Sequence, residues 1–164
     1  MSSASLQAAG TAQGPSAAGG QAAAPSAALM PHAFVLPGSR GGLSATYFAP
    51  RAGVAPRGDV LVLPSFAEEM NRCRAMVSLQ ARTWAEQGVG TLIVDPYGTG
   101  DSAGEFVDAT WTQWRDDLLQ AVAWLDSKGQ GCKALLGIRL GAIMAAELAQ
   151  QAPSVRSVLL WQPV

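Results

Sequence analysis

Leu136-Gly137-Ile138-Arg139-Leu140-Gly141-Ala142 follows an apolar run, Ala134-Leu135-Leu136, and opens an alanine-rich helical pattern from Ile143 to Gln150. The change of period from strand to helix across two glycines marks a tight strand-to-helix turn. Glycines two residues on either side of a centre let the backbone fold back sharply and push the central side chain outward. In the G-x-S-x-G form of this elbow the centre is a nucleophilic serine, whereas here Gly137 and Gly141 flank Arg139. A guanidinium stays protonated at any working pH and cannot attack a carbonyl. The backbone pattern of a nucleophile is present without the nucleophile.

The rest of the composition bounds what such a turn can belong to. The 164 residues carry a formal net charge of -1 with the signs scattered, so there is no basic stripe for nucleic acid. No uninterrupted apolar run approaches the ~20 residues needed to cross a bilayer, and a soluble, cytoplasmic protein is expected. The two cysteines, Cys73 and Cys132, form no C-x-x-C and sit near no histidine cluster. They read as buried free thiols, with no metal site and no cofactor. Residues 1–29 contain eleven alanines and no charged or aromatic residue. They have little to bury against the entropy of ordering and read as a disordered extension. Met30 opens a segment of different composition and is an alternative start; residues 30–164 read as a partial domain.

Ala33–Leu36 and Leu43–Phe48 read as a hairpin around Pro37-Gly38-Ser39-Arg40-Gly41-Gly42, placing Leu43, Ala45 and Tyr47 on one face. Val60–Leu63, Thr91–Val94, Lys133–Leu136 and Ser157–Trp161 are short apolar runs of the kind that form parallel strands buried on both faces. Between them, Glu68–Gln87 and about Thr110–Ser127 carry apolar residues at helical spacing. In the first, Cys73, Val77, Ala81 and Trp84 pack, while Arg72, Arg74 and Arg82 face water. In the second, Trp111 and Trp114 read as core. Strands alternating with helices after a hairpin predict an open, mostly parallel sheet in a three-layer α/β arrangement. Ligands on such sheets bind at the carboxyl ends of the strands, which here gather the loops 64–69, 95–104, 137–141 and 161–164.

Asp95-Pro96-Tyr97-Gly98-Thr99-Gly100-Asp101-Ser102 fits a D-x-x-G-x-G-x-S loop. The next glycine is Gly104 and no helix starts at once, so the loop is not a dinucleotide fingerprint. Asp101 and Ser102 are expected to tie its turn together. In the loop Pro64-Ser65-Phe66-Ala67-Glu68-Glu69-Met70-Asn71, the Phe66 N-H is one candidate donor of an oxyanion hole; the Leu140 N-H, next after the elbow centre, is the other. Ser65 is the hydroxyl of that loop and, without a base, reads as a turn serine. The single histidine, His32, lies far from the elbow in sequence.

These motifs, with Leu160-Trp161-Gln162-Pro163-Val164, resemble the exosortase A system-associated hydrolase 2 family, a bacterial branch of the α/β-hydrolase superfamily. The likeness runs from about Met30 to Val164 and covers the amino-terminal part of that family's length. It implies an α/β-hydrolase fold with a leading antiparallel hairpin, truncated after about the sixth strand. It also implies an ester or thioester hydrolase linked to PEP-CTERM sorting and exopolysaccharide systems. An arginine at the elbow centre is not alien to the family. The acid and base of a triad come from segments after the sixth strand, so a non-catalytic accessory protein and a fragment without function of its own are the alternatives. Expected partners are a small anionic or ester ligand and, through an apolar last strand, other copies of the chain. A cation at a helix start is unfavourable without a counter-charge. The partner expected for Arg139 is one of Glu68, Glu69, Asp95 or Asp101, or else an anionic ligand.

Overall fold

A computed structural model of the chain describes residues 30–164; the extension expected at 1–29 lies outside the described residues. Six strands form one sheet: β1 (His32–Gly38), β2 (Gly41–Phe48), β3 (Gly58–Leu63), β4 (Val89–Val94), β5 (Cys132–Ile138) and β6 (Ser157–Trp161), in spatial order β1-β2-β4-β3-β5-β6. The hairpin β1–β2 is antiparallel and joins β4 antiparallel, while β4, β3, β5 and β6 run parallel. Three α-helices connect them: α1 (Glu68–Glu86), α2 (Trp111–Asp126) and α3 (Leu140–Ala149). A short 3-10 turn at Phe106–Asp108 precedes α2.

Alternation along β3 explains the layers. Leu61 and Leu63 pack into the larger core with Trp114, Leu118, Leu125, Met144 and Leu148 of α2 and α3. Val60 and Val62 pack on the opposite face with Val77 of α1 and Leu136 and Ile138 of β5. A strand apolar at every position is thereby covered on both sides. The leading hairpin has one covered face, and Leu43 and Ala45 are buried there with Tyr47 packed alongside. At the amino ends of the parallel strands the Tyr47 hydroxyl donates to buried Asp59 Oδ1 at 2.9 Å. Burial pushes the Asp59 carboxyl above the usual range, partly offset by that hydrogen bond.

Local chemistry sets the helix boundaries. The Thr110 hydroxyl accepts from Gln113 N-H at 3.2 Å and caps α2. Gly88, with φ 83°, closes the turn after α1. The elbow helix begins at Leu140, three residues earlier than its apolar pattern indicates, because the turn itself supplies its first residues. Cys132 is buried and its thiol is pushed up to about 12 by burial, whereas Cys73 is only half-buried, a departure from the expected pair of buried thiols.

Candidate functional site

The elbow is built by close backbone approach. A Cβ on Gly137 would strike the Gly141 carbonyl and Ala142, and one on Gly141 would strike the Leu63 and Pro64 carbonyls. Only glycine leaves room for β5, α3 and the end of β3 to meet there. Arg139 between them takes φ 55° and ψ -115°, a conformation that costs an L-residue about 1–3 kcal/mol. Its N-H donates to the Trp161 carbonyl at 2.9 Å, so the β5–β6 ladder runs up to the elbow centre. Ala67, which precedes α1, has nearly the same backbone, φ 54° and ψ -128°. Both turns leave a helix amino terminus at the carboxyl edge of the sheet.

Arg139 finds one of its four expected partners. Its Nε lies 3.4 Å from Glu69 Oε2, between side chains that are 39% and 52% exposed. So open a pair contributes about 0–1 kcal/mol and yields readily to a competing anion. Asp95, by contrast, is 3% exposed and belongs to the loop. Its Oδ2 accepts from Arg74 Nη2 at 2.8 Å and from the Asp101 N-H at 3.3 Å. Arg74 therefore does not simply face water as helical spacing predicts, and the Arg82 guanidinium stands 5.9 Å over the Phe48 ring. Ser102 Oγ donates to the Asp95 carbonyl at 2.6 Å and accepts from the Ser44 N-H at 2.8 Å, tying the loop to β2. Asp101 contributes through its backbone, and its exposed carboxylate takes no part. Gly98 and Gly100 hold positive φ, and a side chain on Gly100 would strike the Asp95 carboxylate.

Beneath the elbow lies a narrow recess of about 30 Å³, walled by Phe66, Met70, Trp111, Trp114, Leu140 and Met144 with Ser65 and Gly141. The backbone N-H groups of Phe66 and Leu140 donate to no acceptor among the described residues. Trp111 and Trp114 pack as core and also form a wall of the recess. Their indole N-H groups are taken by Glu147 Oε2 at 2.7 Å and the Tyr97 carbonyl at 2.8 Å. Ser65 does not bond to its own turn: it is buried, and its Oγ has no hydrogen-bond partner among the described residues. His32 stacks on Phe34 on β1, the strand farthest across the sheet from β6, and cannot serve the elbow. Among the described residues no group of His, Cys, Asp or Glu could hold a metal ion, and no helix is long and apolar enough to cross a membrane.

Sheet order, elbow and carboxyl-edge recess together define an α/β-hydrolase fold, and solved structures bear this out. The chain is similar to a lidless α/β serine hydrolase from Xanthomonas campestris (23% identity, TM-score 0.63, covering 74% of this chain and 56% of that one). An α/β serine hydrolase homologue from Coxiella burnetii matches at 20% identity and TM-score 0.61, covering 74% and 58%. A thermostable carboxyl esterase from Bacillus coagulans matches at 17% identity and TM-score 0.63, covering 79% and 43%. The chain thus spans about half the length of the structures it matches. No protein-family model matches the sequence, and comparison with curated proteins gives no match.

Proposed function

We propose that the carboxyl-edge site binds a small acyl compound, an ester, thioester or carboxylate, and that this chain holds it without acting as a serine-nucleophile enzyme. The observation that carries the reading is the elbow: Arg139 occupies the strained centre, and its only counter-charge among the described residues is an open contact with Glu69. In this reading the unpaired Phe66 and Leu140 amides receive the carbonyl or carboxylate oxygen, the guanidinium adds charge, and the apolar recess takes the chain of the acyl group. The protein would act as an accessory or anion-binding member of the superfamily.

A second reading, hydrolysis of an ester or thioester in a PEP-CTERM sorting or exopolysaccharide context, rests on the motif resemblance to the exosortase A system-associated hydrolase 2 family and on the same free amides. Among the described residues no histidine or carboxylate is hydrogen-bonded to Ser65 or Ser102, so neither hydroxyl is activated by a base there. Titrating acetate and phosphate into the parent and Arg139→Leu, while assaying a p-nitrophenyl ester, separates the readings. Binding is expected to weaken about tenfold or more in the variant, a charge-assisted hydrogen bond being worth about 1.5–3 kcal/mol. Equal responses from both proteins would remove the anion site. Turnover abolished by Arg139→Leu would make the arginine catalytic.

A further inference from the structure

The fold leaves one polar group in the recess unexplained. Three other side chains on its wall carry N-H or O-H donors, and each is used: Trp111 on Glu147, Trp114 on the Tyr97 carbonyl, and Thr99 Oγ1 on the Pro96 carbonyl at 2.7 Å. Of the polar side chains on this wall, only Ser65 has no partner among the described residues. It is 2% exposed, its Oγ meets no donor or acceptor among the described residues, and the recess around it is mostly apolar. A buried hydroxyl without a partner is destabilising, and native chains satisfy nearly all such groups. A serine in a loop ordinarily meets this need by bonding to nearby backbone, and Ser65 does not. The residue after it is Phe66, whose N-H likewise has no acceptor among the described residues.

We propose that Ser65 is the specificity-determining contact of this recess, selecting acyl compounds that carry an oxygen close to the acyl head, a hydroxy- or oxo-acyl group, over plain hydrocarbon chains. This rests on the acyl-binding reading above. The side chain of Ser65 branches from the Cα immediately before the Phe66 amide. A ligand whose carbonyl oxygen sits on that amide therefore brings its next few atoms past the hydroxyl. A hydroxyl both donates and accepts, so either an alcohol or a ketone oxygen completes it. A methylene there leaves it unpaired, and sites built to hydrogen-bond a ligand oxygen reject the analogue lacking it. The apolar walls reject a second charge farther along the chain.

The test titrates butyrate and 3-hydroxybutyrate into the full 164-residue chain and into Ser65→Ala, following the Phe66 and Leu140 amides by NMR, with a thermal melt of each free protein. The parent should bind the hydroxy acid about fivefold or more tightly than butyrate. Ser65→Ala should bind both acids equally, keep the parent's affinity for butyrate, and melt no lower than the parent, since it loses only an unpaired group. If both acids bind the parent without preference, or the preference survives Ser65→Ala, the role given to Ser65 is wrong while the acyl site stands. A melt several degrees lower in Ser65→Ala gives the hydroxyl a structural bond instead and overturns the proposal. If neither acid binds the parent, the acyl reading fails and takes this inference with it.

Discussion

Arg139 holds a backbone conformation natural to glycine with a side chain that gains little from its surroundings. The left-handed φ of 55° costs about 1–3 kcal/mol, and its open pair with Glu69 returns about 1 kcal/mol at most. Arg139→Gly should therefore stabilise the chain by about 1 kcal/mol, after allowing for the greater freedom glycine has when unfolded. The urea midpoint at constant slope measures it, and a lower midpoint in the variant would show that the arginine's contacts outweigh the strain. Ala67 and Gln162 also hold positive φ at this edge of the sheet, and strained residues of this kind cluster at functional sites. Glycine spacing in the sequence was enough to locate Arg139. It could not single out Glu69 from Glu68, Asp95 and Asp101, because that choice depends on the phase of α1 relative to the elbow.

At the scale of elements, the loop from Asp95 to Gly104 is held by α1 as well as by its own turns. Arg74 projects from the helix surface and reaches buried Asp95 at 2.8 Å, its own side chain 43% exposed. Removing it leaves the carboxylate, among the described residues, with a single 3.3 Å contact from the Asp101 amide. Because the guanidinium is half in solvent, the loss is smaller than for a fully buried pair, about 1–3 kcal/mol. Arg74→Ala should lower stability by that amount, while Arg72→Ala on the exposed side of the same helix should be neutral within about 0.5 kcal/mol. Equal urea midpoints for the two variants would show that Asp95 does not depend on Arg74. Helical period assigned both arginines to water, since period records which way a side chain leaves its helix but not which neighbouring loop it can reach. The same limit hid Ser65: nothing in Pro64-Ser65-Phe66 distinguishes a hydroxyl bonded to its own turn from one buried without a partner.

Across the whole molecule, apolar runs bounded by Gly and Pro were sufficient to segment the strands, and β6 at Ser157–Trp161 matches its run residue for residue. The recess was not visible in this way, since its walls come from four separated segments whose apolar residues look locally like ordinary core. β6 carries the last prediction. It pairs with β5 on one side, and no strand among the described residues pairs with its other edge. Val158, Leu159, Leu160 and Trp161 are between 37% and 48% exposed, with no charge among them. A flat apolar edge with unpaired backbone groups is a template for another strand. Leu159, Leu160 and Trp161 also line a groove with Gln80, Trp84 and Leu136, which adds contact area to such a pairing. The chain should therefore elute from a sizing column earlier as its concentration rises. Leu159→Lys places a charge that a partner strand would have to desolvate, so it should hold the elution position constant and monomeric over the same range. A parent chain that stays monomeric at every concentration would show that the twist and side chains of β6 already protect its edge.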